Sequence, residues 1–214
     1  LRMGMIGGGE GSLIGPVHRM AARLDGLSEL VCGAFSSDPA VSVATGTWEG
    51  LESSRIYSSW QEMISRESAL PEDVRPHFIS VVTPNHLHYG PAKMALEAGF
   101  HVVCDKPLCM SVAEAIDLHE TVERTSRLFC LTHNYTGYPM VKRARELVLG
   151  GEIGPVRKVA VEYFQGWLSS PVETTGNRQA AWRSDPSRAG IAGAMADIGT
   201  HAFNLAEYVS GLEV

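Results

Sequence analysis

The chain has 214 residues, 44% hydrophobic and 20% charged, a globular composition long enough for one large domain or for a domain and part of another. Its net charge of −6 is spread along the chain without a basic stripe, which argues against nucleic acid as a partner. No apolar run approaches the ~20 residues that cross a bilayer, which argues against a membrane. Cys32, Cys104, Cys109 and Cys130 lie apart, with no CxxC spacing, and read as reduced thiols of a cytoplasmic protein. His86 and His88 alternate along a loop with no Cys or His cluster beside them, so no metal site is expected.

Met3 to Ile6 is a short apolar strand that runs into Gly7-Gly8-Gly9-Glu10-Gly11-Ser12-Leu13-Ile14-Gly15. A helical pattern follows to Leu24 and stops at Gly26. Strand, glycine turn and helix together suit a phosphate: glycines let the backbone approach it and the helix N-terminus favours its charge. Gly7, Gly9, Gly11, Ser12, Ile14 and Gly15 are therefore the candidate contacts to a dinucleotide. Ser12 stands where the third glycine of G-x-G-x-x-G falls, so Gly15 is assigned the packing of helix on strand, in a turn longer than usual.

Glu29 to Phe35 is the next strand, and Ser36-Ser37-Asp38-Pro39 follows it. The carboxylate that binds the adenosine ribose belongs about 20 residues after the glycines. Ser36 and Ser37 occupy that place, with Asp38 slightly beyond. A missing carboxylate removes repulsion against a 2′-phosphate, so NADP stands at least level with NAD. No arginine follows at once to clamp that phosphate. Ala40 to Leu70 carries a weaker signal: a short strand near Ile56-Tyr57, then a helix from Trp60 to Arg66.

Phe78 to Thr83 is a buried strand ending in Thr83-Pro84-Asn85, and its helix begins near Pro91 and ends at Gly99. Phe100 to Val103 is the following strand, halted at Asp105-Lys106-Pro107. In an open parallel sheet ligands gather outside the carboxyl ends of the strands, which is where Asp105 and Lys106 would stand. Ser111 to Glu114 has the form of a capping box, and Val112, Ala115, Ile116 and Val122 fall on one face of its helix. Leu128 to Leu131 is another strand. This alternation predicts right-handed βαβ units in a parallel, doubly wound sheet.

Around Thr132 the pattern changes. A helix from Met140 to Leu149 ends at Gly150-Gly151, and Val156 to Trp167 alternates through Val159, Val161 and Tyr163, as an antiparallel strand does. A domain boundary therefore falls between residues 130 and 153, giving domains of 1–135 and 136–214. A polar loop over 169–180 precedes Trp182-Arg183. Asp197 and His201 open the last helix, four residues apart and so on one face. Imidazole is suited to proton transfer near neutral pH, and a carboxylate beside it orients it.

These residues resemble the Gfo/Idh/MocA family, the glucose-fructose oxidoreductase and inositol dehydrogenase group. The resemblance rests on the glycine turn leading to His18, on Thr83-Pro84-Asn85 with His88, on Asp105-Lys106-Pro107 (commonly Glu-Lys-Pro in the family), on Trp182-Arg183 and on Asp197 through His201. It implies a Rossmann domain for NAD or NADP, with Thr83, Pro84, Asn85, His88, Asp105 and Lys106 added to the cofactor contacts. It implies a following α/β domain with an open, mainly antiparallel sheet, incomplete in this chain because the family's chains continue well past residue 214. A homo-oligomer, dimer or tetramer, through that sheet is implied as well. Lys106, Asp197 and His201 would surround the nicotinamide of a dehydrogenase acting on a secondary alcohol of a sugar or cyclic polyol. Asn134, Tyr135, Gln165, Trp167 and Arg183 are the candidates for the substrate wall. Redox-assisted glycoside cleavage or epimerisation with a tightly held cofactor is the alternative, and a non-catalytic nicotinamide-binding sensor the third reading. Departures from the family are the stretched glycine turn, Asp105 in place of glutamate and the serines at the ribose position. Leu1 is not an initiator methionine, which leaves a lost targeting segment open.

Overall fold

Near-continuous apolar runs suit strands covered on both faces, and parallel strands need helical crossovers between them. Both features are present in the computed structural model, which describes residues 1–166, 169–190 and 192–213. Strands β1 (Arg2–Gly7), β2 (Glu29–Ala34), β3 (Phe78–Val82), β4 (His101–Cys104) and β5 (Phe129–Leu131) form one parallel sheet in the order β2-β1-β3-β4-β5. The period of two divides its core: Met3 and Met5 pack with Leu30, Phe35 and Val82, whereas Ile6 packs with Ile79, Val81 and Leu96 on the other side. The crossovers are α1 (Gly15–Leu24), α2 (Pro39–Trp48), α3 (Trp60–Ser68), α4 (Tyr89–Glu97) and α5 (Val112–Thr125).

The short strand expected near Ile56-Tyr57 is reduced to one parallel bridge, Gly33 to Ile56, beyond β2. The Tyr57 N–H donates to the Gly33 carbonyl at 2.9 Å. Counted as a strand, it turns the spatial order into the 3-2-1-4-5-6 of dinucleotide-binding sheets. A buried carboxylate holds it there: Glu67 accepts from Arg55 at 3.1 and 2.5 Å and from the Tyr57 hydroxyl at 2.8 Å. Burial, with Glu67 beside it, pushes the Tyr57 phenol far up from its ordinary pKa.

Helix α2 was not legible in the sequence, since β-branched residues and a glycine fill it. Its start is nevertheless well made: Pro39 takes a first-turn position and Asp38 caps the helix, accepting from the Ala40 N–H at 2.9 Å. Gly46 lets α2 approach the bridge, because a Cβ there would fall 2.6 Å from Ile56 Cγ1.

The apolar face read on α5 is buried only in part: Val122 packs against the core and Ala115 is half-buried. Val112 is 77% and Ile116 54% exposed, while Leu118 and Thr121 are buried. Asp117 sets this rotation, for it receives the Lys93 ammonium and the Tyr89 hydroxyl from α4, each at 2.8 Å. Ser111 caps α5 through the Glu114 N–H at 3.2 Å, but Glu114 reaches back to the Met110 N–H at 2.8 Å, one residue before the box position.

The chain divides into two compact units, Leu1–Leu131 and Thr132–Val214. In the second, α6 (Pro139–Leu149) packs against α9 (Thr200–Ser210), with Arg145 donating to the Tyr208 carbonyl. Between them lie α7 (Arg178–Arg183), α8 (Pro186–Ala189) and a π-helical turn, Met195–Gly199. The strand expected over 156–167 is not formed in its described part, 156–166. An isolated alternating segment has no ladder to hold it, and among the described residues this unit contains no second strand. The expected antiparallel sheet is therefore not part of the described structure. No described helix is long and apolar enough to cross a membrane.

Candidate active site

Strand β1 is flanked by β2 on one side and β3 on the other, which makes its carboxyl end the switch point of the sheet. Gly7 and Gly8 turn the chain there with φ of 80° and 76°, and Gly11 adds 79°, all in the region that favours glycine. Gly15 has the role assigned to it: a Cβ at that position would lie 2.4 Å from the Gly8 Cα, so α1 rests directly on the turn.

Several amides of the turn are already taken, by the turn itself and by its neighbours β2 and α2. Gly9 N–H donates to the Phe35 carbonyl at 3.0 Å, Glu10 N–H to Thr45 Oγ1 at 3.1 Å, Ser12 N–H to the Gly9 carbonyl at 2.9 Å and Gly15 N–H to Ser12 Oγ at 3.2 Å. Gly9, Ser12 and Gly15 thus shape the cradle. Among the described residues, the amides of Gly11, Leu13 and Ile14 take no protein acceptor, and they stand at the head of a helix whose dipole favours an anion. This is the donor set a pyrophosphate fits.

Arg19 was missed in the sequence, where it looks like an ordinary surface residue of α1. Its only signal is the spacing of Gly15, Arg19 and Ala22 along one helix face. The side chain is buried behind the turn, donating to the Gly8 carbonyl at 2.7 Å and pairing with Glu49 at 2.7 Å. Arg23 shares Glu49 from the exposed side. Arg19→Met should weaken dinucleotide binding about tenfold (~1.4 kcal/mol) by calorimetry. In urea unfolding it should cost about 2–3 kcal/mol, below the usual cost of orphaning a buried partner because Arg23 still neutralises Glu49.

At the end of β2, Ser36 Oγ accepts the Asp38 N–H at 3.0 Å, Ser37 is exposed, and the Asp38 carboxylate is engaged in capping α2. At the end of β3, Thr83 Oγ1 donates to the Leu87 carbonyl at 2.9 Å, and Pro84 leads into a short 3-10 turn, Asn85–Leu87, whose Asn85 is buried. His88 does not line an open cofactor surface: it is 1% exposed, and its ring nitrogens face the Pro107 carbonyl at 2.6 Å and the Thr83 carbonyl at 2.8 Å. It straps the β3 loop to the β4 loop.

At the end of β4, the Asp105 N–H continues the ladder to the Val81 carbonyl at 2.9 Å, and Lys106 follows, half-buried, joined to Pro107 by a cis peptide. Beneath this end, His18 of α1 meets Ser80 Oγ at 3.0 Å. Burial lowers the His18 pKa, with Asp105 pulling it partly back up. The glycine turn, the Thr83–Asn85 loop and Asp105-Lys106 thus share the carboxyl edge of one sheet.

The second cluster belongs to the second unit. Asp197 lies within the π-helical turn and His201 just after it, so the regular helical spacing assumed from the sequence is widened between them. His201 is buried, with Tyr135 at 4.6 Å between ring centroids and His133 at 5.8 Å, both edge-on. The Tyr135 hydroxyl bonds the Tyr163 hydroxyl, and that bond with burial pushes the Tyr135 pKa up to about 12, so the group is a neutral phenol at working pH. Arg183 Nε lies 3.4 Å from both Asp197 oxygens. Of the substrate-wall candidates, Tyr135 and Arg183 therefore join the Asp197/His201 cluster. Asn134 and Gln165 are exposed, Asn134 beside Tyr135 and Gln165 two residues after Tyr163; Trp167 falls outside the described residues. His133 and Tyr163 were not on the sequence-based list, although each neighbours or alternates with a residue that was. Among the described residues no group of three or more His, Cys, Asp or Glu side chains is placed to hold a metal.

Comparison with known proteins bears on the same elements. The chain matches the model of the oxidoreductase family with a NAD-binding Rossmann fold over residues 1–135 and that of the GFO/IDH/MocA C-terminal domain over residues 141–214. It is 31% identical to the uncharacterized oxidoreductase YfiI of Bacillus subtilis, an alignment covering 98% of this chain and 53% of that protein. It is 29% identical to levoglucosan dehydrogenase of Pseudarthrobacter phenanthrenivorans, covering 99% of this chain and 51% of that one. Among solved structures, an inositol dehydrogenase homolog from Azotobacter vinelandii complexed with NAD+ superposes with a TM-score of 0.93 at 38% identity, over 98% of this chain and 53% of that chain. The chain spans about half the length of these relatives. By its two domain matches and these relatives, the chain belongs to the Gfo/Idh/MocA family of oxidoreductases, and its first domain is a NAD-binding Rossmann fold.

Proposed function

We propose that the protein is an NAD-dependent dehydrogenase that acts on a secondary alcohol of a sugar or cyclic polyol. The observation that carries this reading is the shared carboxyl edge of the sheet, where a glycine cradle with unspent amides and the Lys106 ammonium stand together. Relatives support the substrate class: the Azotobacter homolog was also solved with NADH and myo-inositol, and a levoglucosan dehydrogenase with NADH and levoglucosan. The serines at the ribose position left NADP level with NAD. NAD is favoured here because solved relatives are complexed with NAD+ or NADH, and no Lys, Arg or His stands between Phe35 and Ser54 to hold a 2′-phosphate.

Gly11, Leu13 and Ile14 would hold the pyrophosphate through their amides, and Ser36 and Ser37 would face the adenosine ribose. The bound nicotinamide supplies a hydride acceptor. His201 takes the substrate hydroxyl proton on an imidazole nitrogen. The Lys106 ammonium donates to that substrate oxygen and stabilises its growing negative charge. Asp197 orients His201 and favours its charged form, while Tyr135, Asn134 and Gln165 offer hydroxyl and amide groups to the remaining sugar hydroxyls. In a longer protein, the alternating segment 156–166 would enter an open, mainly antiparallel sheet through which two or four copies associate. Its free cysteines suit the cytoplasm.

The test is the full-length protein with NAD and a panel of cyclic polyols and sugars, including myo-inositol and levoglucosan, followed at 340 nm. Reduction of NAD by at least one member is expected. No reduction with any, together with no NAD binding by calorimetry, would contradict the reading.

A further inference from the structure

Arg183 closes α7, and its guanidinium is engaged by Asp197 and Trp182. Nε lies 3.4 Å from each oxygen of Asp197, and the planar group stands 4.2 Å from the centre of the Trp182 ring. Both members of the ion pair are largely shielded, 18% and 20% exposed at their side chains. An arginine that reads sugar hydroxyls must aim its N–H groups at a ligand; this one is aimed at a carboxylate and backed by an indole.

We propose that Arg183 is a positioning residue for Asp197 and does not read the substrate: it fixes the carboxylate within the π-helical turn and keeps it ionised while His201 gains and loses its proton. A π-turn is a widened piece of helix, so it fixes the Asp197 backbone, whose N–H donates to the Gly193 carbonyl at 3.1 Å, but leaves the direction of the carboxylate to its side-chain partners. A cation stacked on an indole supplies the missing restraint. The groups around the pair agree with this assignment. The 3-10 turn Asn134–Gly137 contributes Tyr135, a neutral phenol whose pKa is raised in part by the Asp197 charge. His133 precedes that turn and meets the His201 ring, and Tyr163 is bound to Tyr135. On α6, which packs against α9, Arg145 is engaged with Tyr208. Arg183 is thus a cation set against Asp197 from α7.

This inference rests on the proposed role of Asp197, but its test reads Asp197 directly. In full-length protein carrying carboxyl-labelled aspartate, the Asp197 resonance is identified by its loss in Asp197→Asn and titrated in apo enzyme. Removing an opposite charge at this distance raises a carboxyl midpoint by about one pH unit or more, so Arg183→Met should show that rise and Arg183→Lys should return most of it. Arg183→Gln keeps more of the polarity and serves where Arg183→Met does not fold. An Asp197 midpoint unchanged in the Met or Gln variant overturns the proposal, whatever the enzyme's activity. With the alcohol that the panel identifies, kcat at pH 7 should fall about tenfold, because a misplaced Asp197 no longer aims His201, while KM stays within about threefold. A KM raised more than tenfold at unchanged kcat would return Arg183 to the substrate wall.

Discussion

Lys106→Ala and His201→Ala should each lower kcat by roughly two to four orders of magnitude, the range for losing a positioned acid/base or charge stabiliser. Lys106 follows a four-residue strand whose last ladder bond, Asp105 N–H to Val81, fixes the backbone immediately before it. His201 is gripped by two aromatic neighbours in the second unit. If both act on the same hydroxyl, the double variant should be scarcely slower than either single one, because groups that work as a unit are strongly non-additive. Dinucleotide affinity should move far less than kcat in all three variants. Multiplying effects in the double variant would separate the two residues into independent steps, and full activity in His201→Ala would remove it from proton transfer.

Gly15→Val should abolish dinucleotide binding, a loss of more than about 100-fold (~2.7 kcal/mol) by calorimetry. The added Cβ would meet backbone on the other side, 2.4 Å from Gly8 Cα and 2.5 Å from the Gly8 carbonyl oxygen, so no rotamer can relieve it. Helix α1 must then lift from the turn, and the amides of Gly11, Leu13 and Ile14 lose their common aim. Gly9→Val acts by another route, crowding the Phe35 carbonyl at 2.8 Å and Val41 at 3.2 Å, and should weaken binding for the same reason. Retained affinity in a folded Gly15→Val protein would show that the cradle lies elsewhere. Circular dichroism separates that result from simple unfolding.

The parallel sheet was readable because fully buried strands announce themselves as apolar runs closed by Gly or Pro, as Phe78 to Val82 and the stretch before Pro107 do. Gly15 was readable as the packing glycine from its place at the start of α1. What escaped the sequence depended on tertiary partners. Arg19 is a helix surface residue until Glu49 and the Gly8 carbonyl are brought to it. The buried face of α5 is set by Asp117 meeting Lys93 and Tyr89, which no periodicity of apolar residues encodes. His88 entered the cofactor contacts through the resemblance, and the Pro107 carbonyl that takes it lies on another loop, out of reach of that reading. Residues 156–166 alternate as a strand does, but alternation specifies a strand only where a neighbour supplies the ladder. Asp197 and His201 were singled out by their spacing together with the dinucleotide domain and the Lys106 strand end, although the π-turn that holds Asp197 is invisible to that argument.

The central claim is removal of hydride from a carbinol carbon, and isotope transfer tests it most directly. The alcohol identified by the panel, deuterated at its reacting carbon, is turned over by the full-length enzyme with NAD, and the nicotinamide is recovered for mass spectrometry. The account predicts deuterium in the reduced nicotinamide, one atom for each molecule of alcohol oxidised, and almost none from Lys106→Ala or His201→Ala in the same time. Conversion of the sugar with deuterium returned to the product and no net reduction of NAD would contradict it, and would point to redox-assisted cleavage or epimerisation with a retained cofactor.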